Sequence, residues 1–309
     1  MKVAVFDLGS NTTKLLVAEL YDHSPPRILA EVSRACRLTK GGGEEFRFPE
    51  KSIERILEVL EELAKIARGH EVDRMEAVAT EAFRRSKNSQ NLISLAKQSL
   101  GLDISVLSGL EEAGAIAAGL LCDPLISELD DFHAIDLGGG SMEVIAVKER
   151  TVTSMESFPL GAAVLSNRFC EDPDSPWSEQ VCKDAQNYVR SFLNTSDASV
   201  LSTPCSTLVG AGGTLVFLRK ILENESAEER KKNGVLELPD SIGLFERVSQ
   251  MTFPQRVESY PDLPPSRADI FPAGLLAANE IMRYFKQTKI VHSYHNLRHG
   301  IASKLAMNP

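Results

Sequence analysis

VAVFDLGSNTTKLLVAEL, residues 3–20, is the stretch that decides how this chain folds. An apolar run from Val3 to Phe6 reaches Asp7, the chain turns through Gly9, Ser10 and Asn11, and a second apolar run follows from Leu15 to Leu20. The device returns as AIDLGGGSMEVIAV, residues 134–147, where Asp136 precedes Gly138, Gly139, Gly140 and Ser141. Each copy reads as strand, tight turn, strand. The two Asp residues stand 136 − 7 = 129 positions apart. A loop duplicated at that separation predicts two lobes, each presenting one loop to a common cleft.

Residue types fix the chemistry of such a loop. Glycines let the backbone approach a ligand closely. Successive N–H groups form a concave anion site, and the hydroxyls of Ser10, Thr12 and Ser141 add donors. An Asp at a strand end cannot hold a phosphate, but it can hold a divalent cation, directly or through water, that does. Two ordinary hairpins with glycine turns are the bland alternative. The repetition of D-L-G-[SG]-x-[ST] weighs against it.

At 309 residues the chain has room for two domains, and 43% hydrophobic with 25% charged residues is a globular composition. A formal net charge of −9 argues against a general nucleic-acid binder. A polyanionic substrate stays open, but it needs local donors and a metal in place of a positive surface, so dependence on Mg²⁺ (or Mn²⁺) is expected. Asp7, Asn11 and Lys14 interrupt the N-terminal apolar stretch, which excludes a signal-peptide reading. No run of about 18 apolar residues marks a membrane span. Cys36, Cys122, Cys170, Cys182 and Cys205 are odd in number and form no C-x-x-C pair, which fits reduced thiols in a cytoplasm.

Strands and helices alternate along the rest. Apolar spacing predicts helices over 50–67, 88–100, 111–121, 162–169, 179–193, 241–251, 269–285 and 297–307. Short strands are expected over 73–79, 103–107, 152–158 and 289–293, a hinge over 123–131, and a loop with some helix over 223–239. Leu208 to Thr214 reads as strand, turn and helix start, with Gly212, Gly213 and Thr214 as a third phosphate cradle.

Two further segments carry chemistry. Glu111 and Glu112 follow a strand at a helix start, where they complement the helix dipole or supply a general base. Arg84 also follows a strand and offers a bidentate fork to phosphate, its alternative being a solvated helix face. The spacing of His292, His295 and His299 suits one helix face, but a break at residues 294–296 would separate them, so structural roles are expected.

Together these segments resemble the exopolyphosphatase and guanosine pentaphosphate phosphohydrolase (Ppx/GppA) family of the actin-like ATPase superfamily, nearly end to end. AVFDLGSNTTKLLVAEL matches its first loop, and ACRLTKGG its V-R-L-G-x-G stretch with Arg37 at the arginine. AVATEAFRRSKN matches A-T-x-A-x-R-x-A-x-N, with Arg84 and Asn88 in place. SGLEEA and IDLGGGSMEV match the motifs that carry Glu111, Glu112, Asp136 and Glu143. SFPLGAAVL, VGAGGT, RADIFPAG and NLRHG match later ones, the last through Arg298. Val164, His299 and Ser86 depart from the usual residues.

The resemblance implies an α/β fold of two actin-like (ribonuclease H-like) domains, each a mixed sheet flanked by helices, with an interdomain cleft. The first would span 1–124 plus a C-terminal helix over about 294–309, the second 125–293. It implies a cytoplasmic hydrolase of terminal phosphoanhydrides, tied to the stringent response, acting on polyphosphate or on guanosine penta- or tetraphosphate. No nucleic acid or membrane partner is implied, and a homodimer is left open. The motifs run close to the last residue, as in short members without the C-terminal HD-type region, and such a chain is expected to prefer short polymers or pppGpp. Glu111 becomes the base, supported by Glu112, with Arg84 holding transferred charge. Asp136 and Glu143 would position metal, and Asp7 more weakly. Gly9, Ser10, Asn11, Thr12, Arg37, Asn88, Gly138, Gly139, Gly140, Ser141, Gly212, Gly213, Thr214 and Arg298 would bind substrate. An acetate- or sugar-kinase-like phosphotransferase and a non-catalytic (p)ppGpp or polyphosphate sensor are the alternatives.

Overall fold

The computed structural model describes residues 1–21, 24–38, 46–225 and 233–307. The chain divides into two units, Met1–Pro124 with His295–Pro309, and Leu125–Tyr294.

In the first unit β1 (Lys2–Leu8) turns into β2 (Thr12–Tyr21), which pairs with β3 (Ser24–Ala35). Then follow α1 (Glu50–Gly69), β4 (Arg74–Ala79), α2 (Glu81–Arg85), α3 (Ser89–Leu100), β5 (Ile104–Val106) and α4 (Gly109–Leu121). The strands lie in the order β3-β2-β1-β4-β5, antiparallel across the first three and parallel beyond. Alternation along β1 divides its side chains between two cores. Ala4, Phe6 and Leu8 pack with Ile53, Ile56, Leu60 and Leu63 of α1, while Val3 and Val5 join a separate cluster with Ala302. The strand over β3 was not expected. Pro25 and Pro26 obscure the alternation of Ile28, Ala30 and Val32 in the sequence, and an edge strand tolerates proline because one side of its ladder needs no donor.

The second unit contains β6 (Phe132–Leu137), β7 (Met142–Lys148), β8 (Thr151–Phe158), α5 (Ala162–Phe169), α6 (Glu179–Thr195), α7 (Ser199–Ser202) and β9 (Leu208–Ala211). It continues with α8 (Gly213–Glu225), β10 (Val235–Glu237), α9 (Leu238–Ser249), α10 (Phe253–Ser259), α11 (Pro265–Ala268), α12 (Phe271–Tyr284) and β11 (Lys289–His292). Its strand order is β10-β11-β9-β6-β7-β8. Taken from β8, the series β8-β7-β6-β9-β11 repeats the order and sense of the first sheet, with β10 added at the edge. Two mixed sheets flanked by helices are the α/β architecture expected from the sequence. Part of the loop expected over 223–239, residues 226–232, lies outside the described residues; beyond it β10 forms and α9 begins at Leu238, three residues early.

The chain then returns to the first unit as α13 (Leu297–Met307). Glycines bring α13 against α4: a Cβ at Gly300 would lie 1.8 Å from the Ala115 carbonyl, and one at Gly119 2.2 Å from that of Asn296. Among the described residues no helix is long and apolar enough to cross a membrane.

Candidate active site

The two hairpins close alike. Gly9 N–H donates to the Thr12 carbonyl at 3.1 Å, and Gly138 N–H to the Ser141 carbonyl at 3.0 Å. Each loop is then tied down through its carbonyls. The Ser10 carbonyl accepts from Leu38 N–H, and the Gly9 carbonyl from the Cys36 thiol. In the second loop the Gly138 carbonyl accepts from Ala162 N–H, and that of Gly139 from Ala163 and Val164, all in the first turn of α5. A trans peptide points its N–H opposite to its carbonyl. The N–H groups of Ser10 and Asn11, and those of Gly139 and Gly140, therefore point away from these anchors. Both loops present donors in the manner of an anion nest. The second loop sits so close to α5 that a Cβ on Gly161 would come within 2.4 Å of the Gly139 carbonyl oxygen.

Charge separates the copies. Seven positions after each Asp (7 + 7 = 14; 136 + 7 = 143) stands its register partner on the next strand, Lys14 for Asp7 and Glu143 for Asp136. Asp7 is buried with Lys14 Nζ 3.9 Å away, so a lysine already offsets its charge. Asp136 and Glu143 place two carboxylates side by side on one face of the sheet, and Glu143 is only 2% exposed. Ser157 is the register partner of Glu143 on β8, and its hydroxyl donates to Glu143 Oε1 at 2.8 Å. On the β9 side the chain passes against Asp136 at Gly212, whose φ is +97° and whose added Cβ would lie 2.6 Å from Asp136 Oδ1. Among the described residues no group of three or more His, Cys, Asp or Glu is arranged to hold a metal. A carboxylate pair still fits Mg²⁺, which keeps several waters and binds one or two carboxylates plus substrate phosphates. The pair does not fit a cation caged by protein alone.

Arg84 and Glu112 form the charged centre of the first unit. Arg84 Nη1 donates to Glu112 Oε2 at 2.7 Å and to the Leu107 carbonyl at 2.7 Å, which joins α2, the end of β5 and α4. Glu112 is 7% exposed. Its neighbour Glu111 is exposed and closes a capping box: Oε2 accepts from Ser108 N–H at 2.8 Å, and Ser108 Oγ accepts from Glu111 N–H at 3.2 Å. The hydrogen bonds from Ser108 hold the Glu111 carboxyl below the usual range. An exposed carboxylate stabilised as its anion is a poor proton acceptor. Of the two carboxylates expected to act as base and support, Glu111 is thus the exposed cap of α4 and Glu112 the buried partner of Arg84. The adjacent Arg85 turns to Glu81 at 3.0 Å and lies over the Phe46 ring.

Other expected substrate ligands are engaged in the fold. Asn88 accepts from Phe48 N–H and Ser86 Oγ and donates to the Phe48 carbonyl, so its amide pins one backbone segment. Arg298, 5% exposed, donates to the Leu15 carbonyl and to Glu31 Oε2 at 2.8 Å, a clamp of α13 onto β2 and β3. Arg37 is half-buried with φ +46°, and its N–H donates to the Asn11 carbonyl; residues 39–45 of its motif lie outside the described residues. Thr214 is buried at the start of α8, in contact distance of Gly274, and Gly213 lies against the Arg267 guanidinium. His295 and His299 stack at 4.2 Å, while His292 ends β11 in the other unit. Lys14, Ser157 and Arg267 are polar contacts of these loops that sequence reasoning did not single out. The seven-residue spacing shared by both copies was the available signal for Lys14.

A protein-family model described as the Ppx/GppA phosphatase family matches residues 16–308. Exopolyphosphatase 2 of Mycobacterium tuberculosis is 28% identical over 319 residues, covering 99% of this chain and 98% of that protein. The crystal structure of an exopolyphosphatase from Cytophaga hutchinsonii matches with a TM-score of 0.89 at 25% identity, over 100% of this chain and 98% of its own. That of the Aquifex aeolicus Ppx/GppA family member matches with a TM-score of 0.79 at 26% identity, over 100% and 98%.

Proposed function

We propose, on the premise that this chain belongs to the Ppx/GppA phosphatase family, that it hydrolyses the terminal phosphoanhydride of inorganic polyphosphate with Mg²⁺. The observation that carries this reading is the pair of glycine hairpins with their carbonyls anchored and their N–H groups turned outward. Such donors suit the oxygens of a phosphate chain and nothing apolar. Relatives named exopolyphosphatases, aligned over nearly their whole length, support the substrate class.

In the first unit Ser10 and Asn11 offer backbone donors to phosphate oxygens, and in the second unit Gly139 and Gly140 do so. Asp136 and Glu143 would hold Mg²⁺, which offsets phosphate charge and polarises the P–O bonds when bound. Glu112 orients a water and takes its proton as the water oxygen attacks the terminal phosphorus and the bridging P–O bond breaks. Arg84 holds Glu112 before substrate arrives. A terminal phosphoryl group competes for the same guanidinium, and Arg84 turning toward it leaves Glu112 able to accept the proton. A phosphate-release assay on polyphosphates of several lengths, pppGpp, ATP and pyrophosphate tests the reading. Release from polyphosphate is expected. Release from pppGpp alone would move the substrate to the nucleotide, and release from none of them would sink the reading.

A further inference from the structure

Four strands place one row of residues across the face of the second sheet. Ala211 pairs with Asp136, Asp136 with Glu143, and Glu143 with Ser157. Directly opposed residues on neighbouring strands share a face. The face is the one opposite Ile135 and Val144, which belong to the main apolar core of this unit. Glu143 thus stands between a second carboxylate and a hydroxyl. Its carboxylate is almost wholly buried, and Ser157 Oγ donates to Oε1 at 2.8 Å.

Two side-by-side carboxylates repel each other, so neither holds a fixed rotamer unless something anchors it. The Ser157 hydroxyl, donating to Glu143 Oε1, is such an anchor. From this row we infer that Ser157 is a positioning residue: it fixes the Glu143 carboxylate so that the Asp136–Glu143 pair is set to receive a divalent cation. The inference rests on the reading of Asp136 and Glu143 as the Mg²⁺ ligands.

The test is Mn²⁺ binding to the substrate-free protein, read by electron paramagnetic resonance of the unbound ion, together with the Mn²⁺ concentration for half-maximal phosphate release. Ser157→Ala should weaken both about 10–100-fold, the usual effect of removing a hydrogen bond to a metal ligand. Turnover at saturating Mn²⁺ should fall far less. Ser157→Thr keeps the hydroxyl and should restore both constants to within a few-fold of the parent. A Ser157→Ala protein that binds Mn²⁺ like the parent overturns the inference, as does an alanine variant that loses turnover while keeping its metal constants. Glu143→Gln separates the two levels. If it weakens Mn²⁺ while Ser157→Ala does not, the metal reading stands and the role of Ser157 is wrong. If Glu143→Gln leaves Mn²⁺ binding unchanged, the metal reading and this inference both fall.

Discussion

Glu111 and Glu112 are neighbours with different surroundings, and one helical step of about 100° separates them. Glu111 caps α4 from the solvent side, while Glu112 is buried on Arg84. Glu112→Gln should lower kcat about 10²–10⁴-fold. Glu111→Gln should lower the melting temperature slightly and keep turnover within a few-fold, because it removes only a cap acceptor. Greater damage from Glu111→Gln would return the base to that residue. Two buried histidines weaken the fold as pH falls. Burial, with Arg219 nearby, pushes the His292 imidazole down to about 3. Burial, with His295, Arg298 and Lys14 nearby, pushes that of His299 down to about 2. Both rings stay neutral when folded, whereas the unfolded chain protonates each near pH 6.5. Their contribution is complete above about pH 6.5 and is lost as pH falls from there toward the folded values. The limiting slope is about 1.4 kcal/mol per pH unit for each ring. Neither ring nitrogen of His292 makes a hydrogen bond among the described residues, so His292→Phe should flatten this limb at little cost near neutrality. Urea unfolding from about pH 7.5 to about 4.5 checks it; an unchanged slope would clear His292 of the effect.

At the scale of elements, the second glycine hairpin is shaped by the start of α5 as much as by its own sequence. Gly161 has φ −67°, a value any residue adopts, so glycine is needed there only for space. Gly161→Ala would push the Gly139–Gly140 peptide away by its 2.4 Å contacts. Misplacing binding groups by about 1 Å costs on the order of 10²-fold in rate. Steady-state kinetics should show that loss with unchanged far-ultraviolet dichroism. Gly243 in α9, whose nearest neighbour to an added Cβ is 3.9 Å away, is the control. Gly243→Ala should keep full activity and gain roughly 0.5–1 kcal/mol of stability. Equal losses in both variants would mean that the α5 contact does not shape the loop.

For the whole molecule, one sheet order used twice gives two hairpins of equal geometry but unequal charge. The metal should therefore depend on one copy only. Excess chelator should abolish phosphate release. Asp136→Asn should raise the half-saturating Mg²⁺ about 10-fold or more, in line with losing one of few protein ligands. Asp7→Asn, beside Lys14, should leave that constant within a few-fold; equal shifts in both would show that both copies hold the cation. The duplicated Asp-Leu-Gly turn, the alternation of strands and helices, and the residues of the glycine loops were all legible in the sequence, because turns and periodicity are local properties. β3 was not, since its prolines obscure a pairing that only an edge position permits. Which glutamate is buried and that Lys14 stands beside Asp7 also escaped the sequence. Glu111 and Glu112, or Asp7 and Asp136, carry the same motif letters. Their chemistry is set by burial and by partners on other strands and helices, and only the assembled tertiary structure supplies those.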